Sequence, residues 1–182
     1  MAEQQNPGTV VNADNAQQLP YRIAVLCYLQ DTRGRLLMLH RSKKPNAGMH
    51  SPIGGKLEIG IGESPHECAR REIHEEAGLE IDPSDISFMG MVSEAGYEQA
   101  GHWLLFCFRV TRQIDPEEIP EYEFDEGVLE WVEQDDIASL NLPESDRTVL
   151  WPMVRKHPDE VFVAHIDCSK SPYQTTIHEP KS

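Results

Sequence analysis

From Tyr21 onward, apolar residues come in short runs separated by turn-forming clusters. The run "YRIAVLCYLQ", the cluster "DTRGR" and the run "LLMLHR" read as strand, Gly-containing turn and strand, which predicts a hairpin at the start of the fold. The segment "RSKKPNAGMHSPI", punctuated by Pro45, Gly48 and Pro52, reads as a loop. Further on, "ISFMGMVSE" and "HWLLFCFRV" predict two strands joined by "AGYEQAG", with a short strand at "GVLEWVE" and a last one at "EVFVAHIDC". "DDIASL" is a candidate helix start. "ESDRTVLWPMVRKH" has helical apolar spacing through Val149, Leu150, Met153 and Val154, with Pro152 bending the helix or delaying its start.

The sharpest helix signal lies between these strands. Ser64 reads as an N-cap, Pro65 as the first helical residue, Glu67 as the reciprocal member of a capping box, and Gly78 as the stop. The helix is therefore expected to run from Pro65 to Ala77. Strands outnumber helices but helices interrupt them, which predicts an α+β or mixed α/β class and one domain. Residues 1–20 are rich in Gln, Asn and Ala and are expected to form a flexible arm; 21–170 form the domain and 171–182 a C-terminal tail.

Charge narrows the possible partners. With 16 Lys plus Arg against 31 Asp plus Glu, the formal net charge is -15, which disfavours nucleic acid and anionic membranes as partners. The polar N-terminus lacks the apolar core of a signal peptide, and no apolar run approaches the roughly 20 residues of a spanning helix. The four cysteines are widely spaced, without a CxxC pair, so free thiols and a cytoplasmic location are expected.

Within that acidic background, the predicted helix gathers three carboxylates. At 100° per residue, Glu72, Glu75 and Glu76 fall within an arc of roughly 100°, beside an apolar stripe of Ala69, Ile73 and Ala77. Such a face is self-repulsive, although Arg70 and Arg71 offset part of it. A solvated acidic surface is the plain reading. The glycines upstream change it: Gly54 and Gly55 allow close approach of backbone to a ligand, and Gly60 and Gly62 permit a tight loop back to Glu63. Backbone oxygens beside clustered carboxylates suit a hard divalent cation, which in turn holds phosphate oxygens.

These residues resemble the signature of the Nudix hydrolases: Gly, five residues, Glu, seven residues, then Arg-Glu-aliphatic-x-Glu-Glu-x-Gly-aliphatic. Glu63, seven residues and "REIHEEAGL" from Arg71 to Leu79 match position by position. Gly55 to Glu63 encloses seven residues, "KLEIGIG", which reads as a two-residue insertion that leaves the helix register intact. The resemblance covers about Tyr21 to Cys168 and implies a Nudix-like α/β/α sandwich around a mixed β-sheet.

It further implies Mg²⁺- or Mn²⁺-dependent hydrolysis of a diphosphate bond in a nucleoside diphosphate linked to a group X, with a small-molecule nucleotide as substrate and a monomer or homodimer as the working unit. Glu72, Glu75, Glu76 and the Gly54 carbonyl take the metal-ligand positions. Glu126 is the candidate general base, with Glu123 and Asp125 as rivals and Glu75 or Glu76 as alternatives; Arg71 is expected to orient carboxylates. Arg41, ahead of Lys43 and Lys44, is the candidate phosphate contact, with Gly55 and Lys56 beside it.

The segment from Glu126 to Pro152 looks like the MutT-like branch acting on oxidised purine nucleoside triphosphates, which makes Glu144 and Asp146 candidates for a purine edge; helix capping is the stronger reading for Asp146. His50-Ser51 stands where the animal-type enzymes carry Trp-Asn, so the base pocket is expected to differ. Tyr97, His102 and Trp103 are candidates for stacking on a base, against a core reading; Cys68, Cys107 and Trp131 read as packing residues. A non-catalytic module sensing a nucleotide or ADP-ribose is the alternative, and nucleotide sugars and dinucleoside polyphosphates remain open as substrates. The full carboxylate set favours the enzyme.

Overall fold

The computed structural model describes residues 21–44, 46–97, 101–157 and 160–178. The arm expected at 1–20 lies outside the described residues. Nine strands form two sheets. The first holds β1 (Tyr21–Tyr28), β4 (Ile86–Ala95), β5 (His102–Val110), β8 (Phe162–Asp167) and β9 (Gln174–His178) in the order β1-β5-β4-β8-β9. It is mixed, with β1 parallel to β5 and β4 parallel to β8. The second, antiparallel throughout, runs β3-β2-β7-β6, from β2 (Leu36–Arg41), β3 (His50–Pro52), β6 (Glu123–Phe124) and β7 (Gly127–Val132).

Alternation along the strands divides the core in two. Val25, Cys27 and Leu29 pack with Cys68, Ala69, Ile73 and Ala77 of helix α1 (Pro65–Ala77). The intervening Ala24 and Tyr28 pack on the other side with Val149, Leu150, Trp151 and Met153, around helix α2 (Trp151–Lys156). Phe108 and Val110 of β5 join the first cluster, Leu105 and Cys107 the second. A helix therefore covers each face, as in an α/β/α sandwich.

Three expectations change. The turn after β1 forms as read, with Leu37 N–H donating to the Leu29 carbonyl at 3.0 Å, but β1 and β2 then diverge into different sheets. Asp31 organises the turn: its buried carboxylate accepts from Arg33 N–H and Arg35 N–H, both at 2.9 Å, and from Arg35 Nε at 2.8 Å. The loop read at 42–53 contains β3, which pairs with β2 through Met38–Pro52 to His40–His50. The tail read at 171–182 contains β9, an edge strand exposed along its length that pairs with β8.

The two helical regions differ in regularity. Helix α1 has the expected bounds: Ser64 Oγ accepts from Glu67 N–H, the Glu67 carboxylate accepts from Ser64 N–H, and Gly78 ends the helix at φ 67°. Before α2, Asp146–Leu150 forms a π turn, and the α-helix starts only at Trp151, one residue ahead of Pro152. Proline has no N–H to donate and tolerates only a first turn, which accounts for the late start. "DDIASL" forms a single 3-10 turn at Ile137–Ser139.

Candidate active site

Segment 53–57 runs antiparallel along β1, with Cys27 N–H donating to the Ile53 carbonyl (2.7 Å), Val25 N–H to the Gly55 carbonyl (2.9 Å) and Leu57 N–H to the Ile23 carbonyl (3.1 Å). This wedges the paired glycines between β1 and α1. A Cβ on Gly54, at φ 152°, would strike the Val25 carbonyl; one on Gly55 would strike the Glu72 carboxylate. Both glycines are thus required by close approach, and Gly54 N–H donates to Glu76 Oε2 at 3.0 Å.

Arg71 organises the carboxylates. Its Nε and Nη2 donate to the two oxygens of Glu63 at 2.8 and 3.0 Å, and Nη1 donates to Glu72 Oε1 at 2.7 Å and to Glu75 Oε2 at 3.0 Å. Nη2 also reaches the Lys56 carbonyl at 3.0 Å, tying the helix back to the glycine segment. The Glu63 and Glu72 side chains are 6% and 12% exposed, whereas Glu75 is 54% exposed. The insertion does not disturb this arrangement. It is absorbed in a 3-10 turn at Ile59–Ile61 closed by Gly62, while Glu58 N–H holds Glu63 Oε2 at 2.7 Å.

Burial and neighbouring charge set the protonation of the group. The Glu63 carboxyl is held below the usual range by its bonds from Arg71, which outweigh burial. Burial raises Glu72 against the pull of Arg71. Glu76 is pushed up to about 8, first by burial and then by the charges of Glu72 and Glu126, against the Gly54 N–H bond. Glu72, Glu75 and Glu76 each engage a protein donor through one oxygen, which leaves a second oxygen on each. Glu72, Glu75 and Glu76 offer oxygen donors of the kind a hard divalent cation takes, and a positive charge would relieve their repulsion, although among the described residues only His40, His50 and Glu130 bring ligand atoms within 4.8 Å of one another.

Beside this group opens a cavity of about 460 Å³, lined by Gly54, Gly55, Lys56, Arg71 and Glu72 and, from the second sheet, by Arg41, Ser51 and Glu126. Arg41 Nη2 lies 3.4 Å from Glu126 Oε2. A Cβ on Gly127 would strike the His40 carbonyl, which draws Glu126 in against β2. Glu123 and Asp125 stay off the wall; Lys43 pairs with Asp125 at 3.0 Å on the surface, while Lys44 does line the cavity.

The aromatic candidates divide. Trp103 and Tyr97 line the cavity, with Lys56 Nζ 5.9 Å from the Trp103 ring centroid; His102 instead accepts from Gly96 N–H at 3.2 Å. The purine-edge candidates reverse. Glu144 is exposed and does not line the cavity, and its carbonyl accepts from Thr148 Oγ1 at 2.7 Å. Asp146 does line it, and burial and the charge of Glu94 push its carboxyl up to about 7. Glu94 is the residue that sequence reading missed: it lines the cavity, is 3% exposed, and burial raises its carboxyl. The available signal was its inward phase on β4, alternating with Val92.

A sequence model of the NUDIX domain matches residues 20–154. This chain belongs to the Nudix family. The Nudix hydrolase YvcI of Bacillus subtilis (strain 168) is 31% identical over 125 residues, 68% of this chain and 73% of the relative. Among solved structures, the MutT protein of Bacillus halodurans superposes with a TM-score of 0.65 at 24% identity, covering 87% of this chain and 99% of its own. MutT from Methanosarcina mazei Go1 gives 0.62 at 24% identity, over 75% and 95%. The NUDIX domain of Shewanella oneidensis NrtR, in complex with ADP ribose, gives 0.61 at 14% identity, over 84% and 93%. The structural likenesses establish the Nudix fold, and family membership makes the chain a Nudix-type pyrophosphohydrolase.

Proposed function

We propose that this Nudix hydrolase cleaves a nucleoside triphosphate to the monophosphate and pyrophosphate, with Mg²⁺ or Mn²⁺ held by Glu72, Glu75, Glu76 and the Gly54 carbonyl. The observation that carries the reading is the cavity of about 460 Å³, lined by Glu72, which Arg71 orders, and by the Arg41–Glu126 pair. Its size suits a nucleotide. When bound, the cation supplies positive charge to the diphosphate oxygens and lowers the pKa of water.

The chain's own residues do the rest. Arg41 and Lys56 meet phosphate oxygens, and Arg41 on moving to a phosphate releases Glu126, which then accepts a proton from the attacking water. Arg71 keeps the carboxylates in place and does not touch substrate. Trp103 offers a flat surface to the base. The protein works in the cytoplasm as a monomer or homodimer.

The test is release of phosphate and pyrophosphate over ordinary and 8-oxo nucleoside triphosphates, ADP-ribose, nucleotide sugars and dinucleoside polyphosphates, with and without Mg²⁺. Pyrophosphate release from a triphosphate, lost in Glu72→Gln and Glu76→Gln, is the expected result. Silence across the panel alongside nucleotide binding would move the assignment to a sensor; turnover of ADP-ribose in place of triphosphates would move it to another substrate class.

A further inference from the structure

A second set of polar groups shares the cavity with Glu72 of α1 but stands electrostatically apart from it. Glu94 comes from β4, Ser51 from β3 in the other sheet, and Asp146 from the turn before α2. Burial and Ser145 set the Glu94 carboxyl, and burial and Glu94 set that of Asp146; neither is perturbed by Glu72 or Glu76.

Two of these groups lack partners. Glu94 is 3% exposed and Ser51 is 8% exposed, yet among the described residues Glu94 Oε1 and Ser51 Oγ find no hydrogen-bond partner. The Ser145 hydroxyl engages the Glu94 carboxyl, so the side chain is anchored while one oxygen stays unspent. Leaving a buried polar atom unsatisfied is costly, and a carboxylate more so, while an apolar side chain at the inward phase of β4 would carry no such cost. The unspent atoms belong to a wall that also carries Trp103 and Tyr97, flat surfaces on which a ring can stack.

We infer that Glu94, with Ser51 and Asp146 beside it, is a specificity-determining acceptor subsite for a heterocyclic head group that presents two adjacent N–H donors. This rests on the reading of the cavity as a nucleotide site. A carboxylate accepts two parallel hydrogen bonds from a ring N–H and a neighbouring amino group, one at the unspent Oε1 and one at the second lone pair of the oxygen that Ser145 engages, and a base edge with a single donor makes only one of them. Ser51 Oγ, which both donates and accepts, suits a carbonyl or ring nitrogen on the same base.

The test is equilibrium binding of GMP and IMP to the intact protein in Mg²⁺; the two bases share the ring N–H, and only GMP carries the adjacent amino group. GMP is expected to bind roughly 10- to 100-fold more tightly than IMP, the range of one well-placed bidentate contact. Glu94→Met, checked for folding by thermal melting, is expected to weaken GMP more than IMP and bring the two to a common value. Glu94→Gln, which keeps the shape, is expected to lose most of the preference. Equal affinities in the wild type, a preference that survives both substitutions, or no binding of either monophosphate would overturn the inference. The readout needs no turnover: preserved GMP preference without pyrophosphate release would sink the hydrolysis reading alone.

Discussion

The two polar regions of the cavity are built on opposite principles. Around α1, the chain supplies the partners: Arg71 engages Glu63, Glu72 and Glu75, and Gly54 N–H engages Glu76. Around β4, Glu94 Oε1 and Ser51 Oγ have no hydrogen-bond partner among the described residues. Buried charge is tolerable when paired and expensive when not, so removing a partner from the first region should destabilise the free protein, whereas removing the unsatisfied group from the second should not. Substitutions therefore separate the regions by the sign of their effect on stability as well as by size.

The largest effect is expected at Arg71. Arg71→Ala leaves Glu63 and Glu72 buried without their cation, a kind of loss that costs about 3 kcal/mol or more. Urea unfolding should register that loss, and Mg²⁺ should recover part of it if the same carboxylates bind the cation. A variant as stable as the wild type would erase the contrast between the regions. Glu94→Met should act in the other direction, raising stability by about 1 kcal/mol by removing an unsatisfied buried carboxyl. Destabilisation of similar size would mean that the Ser145 contact outweighs the cost of the unpaired oxygen.

Asp146 gives the same contrast along the pH axis. Burial and the charge of Glu94 push its folded-state pKa up to about 7, above an unfolded value near 3.9. Between those values the folded state holds the extra proton, so this group's contribution to stability falls as pH rises from about 4 to about 7 and is then constant. Asp146→Asn cannot follow that titration. Its stability relative to the wild type should climb from pH 5 to pH 8 in paired urea melts, and a flat difference would mean that Asp146 is not titrating there.

The same division explains what could be read in advance. Helix α1 was legible to the residue because every signal in it is local: cap, first-turn proline, terminal glycine and the spacing from Glu63 to Arg71. The carboxylate face and the need for Gly54 and Gly55 followed from that register. Long-range facts were not legible. The turn at Asp31 predicts a hairpin, but partner choice sends β1 to β5 and β2 to β7. His50–Pro52 is too short and too punctuated to read as a strand, yet β2 recruits it. The exchange of Glu144 for Asp146 depends on which side of the turn at Asp146–Leu150 faces the cavity, and the packing of Val149 and Leu150 into the core is a long-range fact. Glu94 carries the one visible trace, an acid at the inward phase of a strand, without a nearby motif to give that trace a meaning.

The smallest effect tests how the well-partnered region is anchored. Ser64 Oγ accepts from Glu67 N–H at 3.2 Å, and Glu67 Oε2 accepts from Ser64 N–H at 2.9 Å, which satisfies two N–H groups at the start of α1. Those bonds fix the first turn immediately after Glu63, whose carboxylate is the main partner of Arg71. Ser64→Ala removes the side-chain acceptor and leaves Glu67 in place, so a loss of about 1 kcal/mol is expected. Because Arg71 holds Glu63 through two further bonds, at 2.8 and 3.0 Å, the helix end can loosen without releasing the carboxylates. Metal-dependent turnover well below the melting temperature should then stay within about twofold of the wild type, since a factor of two is under 0.5 kcal/mol. A much larger fall in turnover, with the expected modest loss of stability, would place the ordering of the carboxylates in the helix cap and not in Arg71.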